Sequence, residues 1–177
     1  MALWGLTGGA ALEPFNAASL LIAVAGSSFV KDSVETLDGF RNLQPIGAGK
    51  PMRGSVTRDL QPRAALEKYL AETLQWLIDE KEQLLSAYRR PPHDPPPLGS
   101  IGLVLMSVVD APSKKSPRLA IVRRFTERGA GAVTFASPKR RSPVSNVTEY
   151  ALQLQGVDLV QTRDVPAWTL AEIAHAL

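Results

Sequence analysis

Apolar and polar positions alternate most regularly between Asn146 and Val160, in the run N-V-T-E-Y-A-L-Q-L-Q-G-V-D-L-V. Tyr150, Leu152 and Leu154 fall on one side of an extended chain, and Glu149, Ala151, Gln153 and Gln155 fall on the other. A period of two predicts a strand with one buried face, led in by the β-branched Val147 and Thr148. Leu66, Leu70, Leu74, Leu77, Leu84 or Leu85, and Tyr88 recur instead at steps of three and four. That spacing predicts one long amphipathic helix over about 62–88, with Asp59 or Gln61 as cap and Pro62 in the first turn. Arg63/Glu67 and Lys68/Glu72 are opposite charges four apart on the side predicted to be wet. The prolines of 91–97 stop this helix and form a stiff spacer.

The remaining elements are shorter. Ile101 to Val109 is a continuous apolar run and predicts a strand covered on both faces. Arg118 to Phe125 and Ala132 to Ala136 predict two further strands. Thr169-Leu170-Ala171-Glu172 has the form of a capping box and predicts a short C-terminal helix ending at Leu177. In the first third, Ala17 to Ala25 suits either a buried strand or a short helix. Phe29 to Leu37 and Arg53 to Asp59 predict a hairpin whose long loop, 39–52, contains Gly39, Pro45, Gly47, Gly49 and Pro51. Met1 to Asn16, with Trp4, Leu6 and Phe15 as its large anchors, predicts an extended arm over 1–16. The fold expected is α+β: a β-sandwich or barrel-like arrangement of antiparallel sheets, flanked by one long helix and a short C-terminal one, in a single domain over 17–177.

Composition sets the class. A chain of 177 residues with 45% hydrophobic and 21% charged residues is long enough and apolar enough for a sizeable core. It has no cysteine, which excludes disulfides, thiolate metal sites and a cysteine nucleophile. The longest apolar run, Ala17 to Ala25, is too short for the roughly 20 residues of a membrane span. The first basic residue is Lys31, so a secretory leader and a membrane address are not expected. Net charge is +3, but it is unevenly placed. Lys114, Lys115, Arg118, Arg123, Arg124, Arg128, Lys139, Arg140 and Arg141 face a single acid, Glu127, so 114–141 carries +8 and the rest of the chain −5. Such asymmetry suits a polyanion, or complementary surfaces on copies of one protein.

Catalytic and cofactor signatures do not emerge. Gly47-Ala48-Gly49-Lys50 lacks the phosphate-loop pattern, because Gln44 stands at the first glycine position and Pro51 follows the lysine. His93 and His175 have no ligand spacing around them. Asp79, Glu80 and Glu82 are adjacent acids of the kind that solvate a helix face. No catalytic residue, cofactor or metal is therefore expected, and the chain does not read as an enzyme. Nucleic-acid binding through 114–141 would call for stacking aromatics among the basic residues. Only Phe125 and Phe135 offer themselves, and Phe135 fits a core position.

The order of elements resembles the tail tube proteins of long-tailed bacteriophages. The resemblance is carried by the loop-bearing hairpin, the single helix, R-L-A-I-V-R-R-F, A-V-T-F-A, and V-T-E-Y-A-L-Q-L-Q-G, over roughly 29–160. It implies a two-sheet sandwich flanked by one helix, six copies closing into a ring, and rings stacking into a conduit for phage DNA. The protein's partners would be itself and other tail proteins such as the tape measure and terminator. DNA would pass through without sequence-specific binding, in a virion tail assembled in the host cytoplasm. Gly39, Arg41, Gly47, Gly49 and Lys50 would then contact the next ring, Trp4 and Phe15 a neighbouring copy, and Lys139, Arg140 and Arg141 a neighbour or the outside. Glu149, Gln153 and Gln155 would face a lumen or a subunit seam. A tail terminator or head–tail connector, forming one unstacked ring, is the alternative within the same class. A small nucleic-acid-binding domain using 114–141 is the alternative outside it.

Overall fold

The computed structural model describes residues 12–27, 30–46, 64–79, 101–108, 118–126, 129–137 and 160–177. Within them, α1 (Pro14–Gly26), a single 3-10 turn (Val30–Asp32), α2 (Ser33–Phe40) and the short strand β1 (Gln44–Ile46) are followed by α3 (Leu66–Asp79). Strands β2 (Ile101–Val108), β3 (Arg118–Thr126), β4 (Gly129–Ala136) and β5 (Val160–Val165) then lead to α4 (Ala167–Ala176). The strands form one antiparallel sheet in the order β1-β4-β3-β2-β5. β2, β3 and β4 are successive neighbours, while the first and last strands form its edges. The architecture is α+β, as expected. It is an open five-stranded sheet and not a closed barrel.

Register decides which residues meet the helices. Leu103 pairs with Val122 and Val165, and Leu105 with Ala120. Val122 pairs with Val133, and Ala120 with Phe135. These side chains share one face and join the main core with Ile22 of α1, Phe40 of α2, Leu66, Tyr69, Leu70, Leu74 and Leu77 of α3, and Leu170 and Ala174 of α4. α1 packs against α2, α3 and β2, α3 against α4, α4 against β2, and α2 against β3. The opposite face carries a second cluster in which Leu119 and Ala136 are buried beside Met106, Ile121 and Ile46. Ile101 to Leu105 are all buried. The continuous apolar run is therefore a strand covered on both sides, as its sequence predicted.

The other elements decide between the two forms open to Ala17 to Ala25 and correct several expectations. Ala17 to Ala25 is helical, begun by Pro14 at the first helical position, where its missing N–H costs nothing. Phe15 and Asn16 belong to this helix, so the expected arm does not extend to 16. Phe29 to Leu37 is not a hairpin strand, since Ser33–Phe40 is helical and places Thr36 and Phe40, four apart, against the core. Gly39 consequently sits in a helix and not in a loop, and 39–46 is occupied by the end of α2, a turn and β1. Arg53 to Asp59 and the spacer 91–97 lie outside the described residues. The stripe Leu66, Leu70, Leu74, Leu77 is buried as predicted, but the described helix is 14 residues long and ends at Asp79, so one long helix over 62–88 is not what these residues show. The C-terminal helix starts before the predicted capping box: Pro166 is its N-cap, and Thr169 lies inside the first turn. β5 has no counterpart in the predicted strands. Of Asn146 to Val160, only Val160, at the start of β5, falls among the described residues.

Gly39 illustrates how closely α2 lies on the sheet. A Cβ there would occupy the space of the Arg118 guanidinium, which is only 5% exposed and lies 5.6 Å from the centre of the Phe40 ring. Burial pushes Arg118 below its ordinary value, and the charge of Glu35 on α2 acts in the opposite direction. The guanidinium thus clamps α2 to the first residue of β3. Gly39→Ala must displace this clamp, the far end of a flexible side chain, and offsets part of that cost by the better helix propensity of Ala, so stability should fall by about 1 kcal/mol. The combined Gly39→Ala/Arg118→Ala variant should be destabilised by less than the sum of the two single changes in denaturant melts.

Candidate assembly surface

α1 carries no charge. Between Glu13 and Lys31 the sequence has no ionisable side chain at all. The helix buries Ala17, Ala18, Leu21 and Ile22 against the rest of the fold. Among its exposed positions, Leu20 at 55% and Val24 at 66% lie on one side with the polar Asn16, while Phe15 at 44% lies on the opposite flank from Val24, and Leu12 at 45% just precedes the helix. A surface helix normally shows charge outward, and α1 shows only Asn16 and small or apolar side chains there. α1 is held as a surface helix with a core-like composition.

What holds it there is polar and well defined. Ser19 on α1 donates to Glu67 Oε1 at 2.6 Å. Arg41, at the end of α2, donates to Glu67 Oε2 through Nε at 3.1 Å and approaches it through Nη2 at 3.0 Å. Glu67 is 5% exposed, on the first turn of α3, where the positive end of the helix dipole favours a carboxylate. The same turn receives backbone partners: Leu66 N–H donates to the Leu43 carbonyl at 3.0 Å, and Glu67 N–H to the Arg41 carbonyl at 3.2 Å. Two of the helix's unpaired N–H groups are thereby satisfied by the segment that follows α2. Glu67 was expected on the wet face of its helix and is instead the buried junction of α1, α2 and α3. Of the i,i+4 pair Lys68–Glu72, at 4.0 Å, Lys68 is exposed and Glu72 half-buried, with its Oε2 covered.

The sequence-derived contact residues separate as follows. Arg41 is paired with Glu67, and also lies 4.0 Å from Asp38, so its charge is engaged within its own chain. Gly39 seats Arg118. Phe15 is exposed at the start of α1. Trp4, Gly47, Gly49, Lys50, Lys139, Arg140, Arg141, Glu149, Gln153 and Gln155 lie outside the described residues. Within the basic segment, Arg118 is buried over Phe40, and Arg123 forms an exposed pair with Asp164 at 3.3 Å across the sheet. Such an exposed pair contributes about 0–1 kcal/mol.

Sequence reasoning missed two features here, the Glu67 junction and the outward apolar face of α1. The second had a signal, the absence of charge between Glu13 and Lys31. The first had none that local periodicity reads, because its partners are 48 and 26 residues away.

Among the described residues there is no group of three or more His, Cys, Asp or Glu side chains placed to hold a metal ion. No helix among them is long and apolar enough to cross a membrane. No protein-family model matches the chain, and neither a curated protein nor a solved structure matches it.

Removing the buried carboxylate leaves Arg41 and Ser19 without their shared partner. Glu67→Ala should cost about 2–3 kcal/mol, and Ser19→Ala about 1 kcal/mol, both read from urea unfolding. In the double variant the two costs should not add, because both changes remove the same hydrogen bond.

Proposed function

We propose that the chain is a structural subunit that assembles with copies of itself in the tail of a long-tailed bacteriophage, building stacked hexameric rings of the tail tube. The observation that carries self-assembly is the outward face of α1. Burying Leu20 and Val24, which share one side of the helix, would remove apolar surface from water, which stabilises by about 25 cal/mol for each Å² covered. The tail assignment rests on the sequence resemblance to tail tube proteins, of which the strands R-L-A-I-V-R-R-F and A-V-T-F-A remain as read while the hairpin and the single long helix do not. Assembly would proceed in the host cytoplasm, with the tape measure and terminator as further partners. Phage DNA would pass through without sequence-specific contacts. No catalytic role is part of this reading.

A second reading lies within the same class. The tail tube resemblance implies two sheets and a single flanking helix, whereas the described residues form one sheet with four helices. That departure counts against the two-sheet tube subunit, and a tail terminator or head–tail connector, forming one unstacked ring, is the second reading. The nucleic-acid-binding alternative through 114–141 is weakened by the engagement of Arg118 with Phe40 and of Arg123 with Asp164.

Negative-stain electron microscopy of the concentrated, purified protein separates these readings. Stacked rings or tubes are the expected result, and isolated rings would select the terminator or connector. A protein that stays monomeric at high concentration, and is absent from virions of its phage, would contradict both.

A further inference from the structure

We draw no further inference here: the strongest candidate, the outward side of α1 around Leu20 and Val24, carries nothing beyond the self-assembly already proposed, because nothing among the described residues shows which surface covers it.

Discussion

The carboxylate of Glu67 is the point at which the helical layer is joined. Three helices from separate stretches of sequence meet there: α1 through Ser19, α2 through Arg41, and α3 as its carrier. A buried carboxylate is costly unless its oxygens are hydrogen-bonded, and here both are. The constraint propagates outward. With α1 fixed to α3 by this contact, Ala18, Leu21 and Ile22 face the core and Leu20 and Val24 must face away. The outward apolar face is thus a consequence of how the helix is anchored. The Arg118 clamp does for α2 and β3 what Glu67 does for α1 and α3. The two polar anchors differ in kind: Glu67 has direct partners, whereas Arg118 rests on an aromatic face and the more distant charge of Glu35.

Patterned segments were the legible part of the fold. The leucine stripe of α3 and the continuous run of β2 appear where their periodicity placed them, and β3 and β4 lie within a few residues of prediction. Two kinds of element were not legible. α2 mixes Val34, Glu35, Thr36 and Leu37, which suit a strand locally, and becomes a helix because Thr36 and Phe40 need the same side to reach the core. β5, reading Val-Gln-Thr-Arg-Asp-Val, is an edge strand with polar side chains at 161–164, and such strands show no alternation to find. Its polarity also protects an otherwise open sheet edge from pairing at random. At the other edge, Pro45 of β1 plays the same part by removing a donor.

The candidate surface was legible in composition and illegible in position. An uncharged stretch preceding the first basic residue can be read directly, but which of its sides faces out depends on Ser19 finding Glu67 across 48 positions of sequence. Conversely, Gly39 and Arg41 looked available because a loop was expected around them. Tertiary contacts engage both within the chain, one as the seat of a guanidinium and the other as a partner of the buried carboxylate. Chemistry-bearing residues that look free in sequence are here part of the scaffold, while a stretch without any chemistry is what the scaffold turns outward. An apolar, uncharged surface of this kind among the described residues is suited to meeting other apolar surface, which is why assembly is the function proposed.

The central claim is that α1 is a surface helix awaiting a protein partner of its own kind. Hydrogen exchange measured at several protein concentrations tests it most directly. Amides of α1 should become slower to exchange as concentration rises, while those of α3 and β2, already inside the core, should remain constant. Exchange in α1 that does not change over a range spanning micromolar to millimolar protein would contradict the account.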